Sequence, residues 1–100
     1  MQIPEEFATF VKGIYPGIPH DWKSLESLAA AGLERSGAKE RRAVLAFLNE
    51  LLDGGYSDAD IEDAWNVQSP SYNFSAGGHR VFLEIVRRQI IADKDHKLAG

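Results

Sequence analysis

Ala38-Lys39-Glu40-Arg41-Arg42-Ala43-Val44-Leu45-Ala46-Phe47-Leu48-Asn49-Glu50-Leu51-Leu52-Asp53, with Gly54-Gly55 after it, is the stretch that decides the fold class. Val44, Phe47, Leu48, Leu51 and Leu52 recur at the spacing of one face of an α-helix, and the glycine pair stops it. Toward the C-terminus, Ser57-Asp58-Ala59-Asp60 reads as an N-cap followed by a first turn of acids. The Ser57 hydroxyl is placed to accept from the amide of Asp60, although Asp is a weaker capping-box partner than Glu. A short helix over about Asp58–Asn66 then buries Ile61 and Trp65 at i, i+4. The spacing predicts a last helix over about Gly78–Ala92, with Phe82, Ile85, Val86 and Ile90 inward.

Toward the N-terminus, Phe7, Phe10, Val11 and Ile14 share a face of a helix over about Pro4–Ile14. Pro4 suits its first turn, and Glu5 and Glu6 favour the positive end of the helix dipole. Tyr15-Pro16-Gly17-Ile18-Pro19 breaks it, because proline lacks the amide donor and clashes with the preceding turn. Asp21 or Ser24 caps a second helix reaching about Ser36, with Leu25, Leu28, Ala29 and Leu33 as its stripe, Trp22 at its entrance and Gly37 at C′. Val67–Gly78 is an irregular loop with Pro70, Gly77 and Gly78 as breakers and Tyr72 and Phe74 as anchors. No segment alternates as a strand does. The expected architecture is all-α: one compact domain of about five helices over residues 1–92, with a polar, frayed tail over 93–100.

The charge is unevenly spread. Ala43–Gly78 holds Glu50, Asp53, Asp58, Asp60, Glu62 and Asp63 and no Lys or Arg. Met1–Arg42 holds six acids and six bases, and His79–Gly100 three acids and five bases, so the net charge of −4 lies in the middle stretch. A concentrated negative field attracts a cationic partner and repels phosphate backbones, which favours a basic protein over nucleic acid. A net-acidic chain of pI near 5.3 also lacks the footprint of a helix-turn-helix DNA binder, despite Lys39, Arg41 and Arg42 on one helix and Arg80, Arg87 and Arg88 on another. Those bases read as solvated helix faces and local ion pairs such as Glu84–Arg88.

Motifs for chemistry are weak. An EF-hand loop starting at Asp58 needs Gly at its sixth position and Glu at its twelfth, where this chain has Asp63 and Ser69. Asp58 and Glu62 stand at i, i+4, but a polar first turn leaves such carboxylates as solvated surface groups. His20, His79 and His96 have no ligand spacing and read as surface or boundary residues. The chain has no cysteine, no nucleophile elbow and no phosphate loop. The expectation is no enzyme, no cofactor and no metal. Tyr56, Tyr72 and Phe74, in breaker-rich segments, are either core plugs or interface anchors. The N-terminus lacks an apolar signal core, and no apolar run approaches the ~20 residues that span a bilayer, so the protein is expected to stay in the cytoplasm, off the membrane.

The order of these features resembles a family of small all-helical immunity proteins from bacterial contact-dependent growth inhibition systems. The resemblance covers about Phe7–Ile90 and rests on five features. They are the aromatic-rich first helix, Asp21-Trp22, the leucine-rich helix ending in Leu51-Leu52, Tyr56-Ser57-Asp58-Ala59-Asp60-Ile61 with Trp65, and the Tyr72–Phe74 loop before Arg80-Val81-Phe82-Leu83-Glu84-Ile85. It implies a cytoplasmic protein that binds the C-terminal toxin domain of a large exoprotein, often a basic nuclease, and neutralises it as a monomer in a 1:1 complex. Combined with the charge pattern, it assigns partner binding to Glu50, Asp53, Tyr56, Asp58, Asp60, Glu62, Asp63 and Tyr72. The alternative is a helical adaptor or antitoxin-like module binding a different basic protein.

Overall fold

Residues 2–14, 24–70, 72–75 and 77–99 are described by a computed structural model, and among them lie five α-helices and no strand. The helices are α1 (Glu5–Lys12), α2 (Leu25–Leu33), α3 (Ala38–Asp53), α4 (Asp58–Asn66) and α5 (Gly78–Ala99). The all-α, single-domain architecture is as the helical periodicity predicts. The break at Tyr15–Pro19, His20 and the Asp21-Trp22 entrance to α2 lie outside the described residues.

The helix ends show which local forces win. Pro4 precedes α1 in extended conformation, and its carbonyl accepts from the amides of Phe7 and Ala8. α1 stops at Lys12 and Gly13, short of Ile14, yet Ile14 is fully buried. Ser24 caps α2 by accepting from the Ser27 amide at 3.1 Å. α2 stops at Leu33 rather than near Ser36 because the Leu33 carbonyl is taken twice, by the Ser36 amide at 3.0 Å and by Arg41 Nη2 at 2.7 Å. Gly37 is consequently not the C′ residue of α2. It is the N-cap of α3 at φ −76°, an ordinary backbone region, and its carbonyl accepts from the Arg41 amide.

α3 keeps the expected bounds and ends at Gly54 and Gly55, the latter at φ +81°, where a side chain would be strained. α4 starts in a complete capping box: Ser57 Oγ accepts from the Asp60 amide at 3.2 Å, and Asp60 Oδ2 accepts from the Ser57 amide at 3.1 Å. α5 runs past Ala92 to Ala99, because no Gly or Pro interrupts the chain before Gly100.

The core draws on all five helices: Phe7, Phe10 and Val11 of α1, Leu28 and Leu33 of α2, the α3 stripe, Ile61 and Trp65 of α4, and Phe82, Leu83, Ile85, Val86 and Ile90 of α5. α5 packs on α2, α3 and α4, and α1 packs on α3, where the Phe7 and Phe47 rings lie 4.7 Å apart. Gly32 lets α2 come close to α1: a Cβ there would stand 2.4 Å from Ile14 Cδ1 and 3.1 Å from the Phe10 ring. The radius of gyration of 12.8 Å is that of a packed domain of this length. Among the described residues, no helix is long and apolar enough to cross a membrane.

Trp65 organises the end of the molecule that carries the acids. Its ring is fully buried, and its Nε1–H donates to the Tyr72 carbonyl at 2.9 Å. Phe74, Phe82 and His79 meet it edge-on, with centroids 5.4, 5.8 and 6.0 Å away, and Phe74 stacks on Phe82 at 4.8 Å. Tyr72 and Phe74 are thus half-buried plugs against the core. Trp65→Phe keeps most of the packing but strands the Tyr72 carbonyl; we expect a loss of about 1–3 kcal/mol in denaturant unfolding. Hydrogen exchange at residues 72–75 should rise more than in α3, and a uniform rise would show that the indole bond does not pin this loop.

Candidate protein-binding surface

The helical period divides the acids of α4 between two faces, because Ile61, Ala64 and Trp65 turn the third face inward. Asp58 and Glu62, one turn apart, face the start of α5. Asp60 and Asp63 lie on another face, and with Val67 they follow the i, i+3, i+7 spacing of one stripe, bordered by the buried Ala64.

On the first face Asp58 is compensated, and this corrects the expectation of an unbroken anionic field. Asp58 Oδ1 accepts from Arg80 Nε at 2.6 Å, and Arg80 Nη2 also donates to the Tyr56 carbonyl at 2.8 Å. Asp53, the last residue of α3, is met in the same way: Arg87 Nη1 donates to Asp53 Oδ2 at 2.9 Å. Arg80 and Arg87 are separated by two helical turns and therefore share a face of α5, and both reach across to other helices. The local Glu84–Arg88 pair expected from their spacing is not formed. Arg41 behaves likewise, pairing with Asp93 of α5 while it holds the Leu33 carbonyl. Three of the six bases that read as solvated faces in sequence, Arg41, Arg80 and Arg87, tie α5 to α2, α3 and α4, while Lys39, Arg42 and Arg88 are exposed as expected.

His79 is a second correction. It is buried, not at the surface. Asn73 Oδ1 accepts both from the Phe74 amide at 3.0 Å and from His79 Nε2–H at 2.6 Å, which fixes the neutral tautomer with its proton on Nε2. Nδ1 then faces Glu62 Oε1 at 3.4 Å with no donor between them. Burial lowers the pKa of His79 below its usual value of 6.5, and the Glu62 charge raises it by less. His96 lies beyond the side chains that are described.

What is left is smaller than the sequence stretch. Glu50, Asp60 and Asp63 are exposed and form no ion pair with another described residue; Asp60 is already an acceptor within the capping box. Asp60 and Asp63 border a cleft of ≈ 400 Å³ whose walls are Ile3, Tyr56, Ala64 and Val67. The cleft is open and apolar at its base. Val67 is 66% exposed, the most exposed large hydrophobic residue among those described. Tyr56 is half-buried against the core, and its ring is closely approached by Gly54, where a Cβ would stand 3.0 Å from it. Of the candidate residues, the fold brings Tyr56, Asp60 and Asp63 together. It sends Asp53, Asp58 and Glu62 to α5, uses Tyr72 as core, and leaves Glu50 apart on α3. Ile3, Ala64 and Val67 were not anticipated; the stripe spacing through Asp60 and Asp63 marks Val67. Among the described residues no group of His, Cys, Asp and Glu is arranged to hold a metal.

The His79 geometry sets a pH dependence. A folded pKa below the unfolded one means that the unfolded chain takes up the proton first. Stability is fully present above pH 6.5 and falls as the pH drops through and below that value. Denaturant midpoints measured from pH 7.5 to 5 should decline in the wild type, and Glu62→Gln should extend the decline to lower pH because the compensating charge is gone. A wild-type midpoint that rises on acidification would contradict a neutral buried imidazole. The ion pairs differ in weight: Arg87→Met should cost no more than about 1 kcal/mol, as exposed pairs do. Arg80→Met, which also strips the Tyr56 carbonyl, should cost about 1–2 kcal/mol. Equal losses in thermal or denaturant melts would show that the carbonyl contact adds nothing.

No protein-family model matches this chain, no curated protein matches its sequence, and no solved structure matches its fold.

Proposed function

We propose that this chain is an immunity protein of the contact-dependent growth inhibition type: it binds the C-terminal toxin domain of a large exoprotein in the bacterial cytoplasm and neutralises it one to one, without transforming a substrate. The observation that carries the reading is the set of exposed carboxylates, Glu50, Asp60 and Asp63, with no cation from the described residues against them. The order of motifs from Phe7 to Ile90 supports it separately, by resemblance. Free carboxylates on a rigid helical frame speed encounter with a basic surface and hold it in register, which is how a stoichiometric inhibitor of a nuclease domain would work. Asp53 and Asp58 have a different part in this account. They hold α5 in place and so support the surface without meeting the partner.

The test is the association rate with the toxin domain of a contact-dependent growth inhibition exoprotein, should one be encoded beside this gene, followed by stopped flow against ionic strength. Glu50→Gln with Asp63→Asn should slow association roughly threefold to tenfold at low salt, with the difference vanishing at high salt. Absence of binding to that domain, or rates identical at every salt concentration, would remove these carboxylates and the inhibitor reading with them.

A further inference from the structure

We infer that the cleft between Ile3, Tyr56 and the outer face of α4 receives an arginine side chain and the apolar residue beside it from a basic segment of the protein partner. The proposal rests on the reading of this chain as a binder of a basic protein and names the chemistry that its surface selects.

The argument starts from the walls. Val67 and the partly buried Ile3 offer apolar area that water covers poorly, the buried Ala64 lies at the base, and Tyr56 adds an aromatic ring. Asp60 and Asp63 supply two negative charges at the mouth, and among the described residues no Lys or Arg lines the cleft. An arginine matches all three features at once. Its methylene stem covers apolar surface, its planar head stacks on an aromatic ring, and its fork of donors takes a carboxylate with two parallel bonds. The free charge belongs chiefly to Asp63, since Asp60 already accepts from the Ser57 amide. Val67 continues the cleft one turn beyond Asp63, where a neighbouring leucine-like side chain gains most from being covered.

Other occupants fit worse. A second copy docking here through a two-fold axis would bring Asp60 and Asp63 of both molecules together, a repulsion with no described cation at hand to relieve it. A nucleic acid would meet the same carboxylates with its phosphates. A small neutral metabolite would find an open cleft that leaves much of it in water, where ligand sites enclose most of their ligand.

The test uses the whole chain, labelled with ¹⁵N and titrated with an acetylated, amidated Arg-Leu-Arg-Leu tetrapeptide, with the citrulline-for-arginine peptide as the neutral control. Saturable amide shifts are expected at Ile3, Tyr56, Asp63, Ala64 and Val67 with the arginine peptide only. Asp63→Asn and Val67→Ser should each weaken the peptide by about threefold to tenfold. Both positions are exposed, so circular dichroism should show an unchanged fold, and Glu26→Gln on α2 should leave binding as it was. Shifts that never saturate, shifts spread evenly over acids elsewhere, or equal response to the citrulline peptide would overturn the proposal. The two readings fail separately. If the exoprotein domain binds wild type and both cleft variants equally, the cleft is wrong and the inhibitor stands. If the tetrapeptide binds as expected and the exoprotein domain does not, the cleft stands and the inhibitor falls.

Discussion

A buried indole has one donor that must find an acceptor, and Trp65 finds it on the carbonyl of Tyr72. That bond lies between α4 and the irregular segment after it, in a place where the backbone supplies no regular ladder. Around it, Phe74 and Phe82 stack and His79 closes one edge, so the loop becomes part of the core. The start of α5 is therefore set in position against α4, and with it the position of Arg80. Everything on the acidic end of the molecule follows: which carboxylates meet arginines, which do not, and where the open cleft forms beside Tyr56.

Those arginines change the electrostatic picture. A stretch with six acids and no Lys or Arg reads as an unopposed field. In three dimensions α5 brings back Arg80 and Arg87, both half-buried, onto Asp58 and Asp53. Each contact is modest as an ion pair in water. Their larger effect is geometric: they lash α5 to the ends of α3 and α4, and of the six acids in this stretch they leave Glu50, Asp60, Glu62 and Asp63 with no described Lys or Arg against them. The surface that remains is narrower and better defined than the sequence implied, with apolar walls beside its charges rather than charge alone.

The helices were legible where strong local signals agreed. α3 and α4 have the bounds expected from the Val44–Leu52 stripe, the glycine stop and the Ser57/Asp60 capping box. Ends decided by long-range contacts were not legible. α2 stops at Leu33 because Arg41, eight residues on, claims its carbonyl, and Gly37 consequently belongs to the next helix. Burial of His79 was hidden for the same reason. Its partners, Asn73 and Glu62, come from a loop and a helix whose meeting depends on Trp65. The two-turn spacing of Arg80 and Arg87 was a readable sign that they act together, although their targets were not. Ile3 joins the cleft only through the packing of α1 on α3, which no local pattern encodes.

The account makes α4 a divided helix: one face anchors α5, one fills the core, and one is offered outward. Its central claim is that a basic protein domain covers that third face. Hydrogen exchange of the chain alone and bound to the proposed exoprotein toxin domain tests it directly. The account predicts new protection concentrated at residues 56–67 and at the segment around Ile3, with α2 unchanged. Protection confined to α2 and the adjoining face of α5, with α4 exchanging as in the free protein, would contradict it.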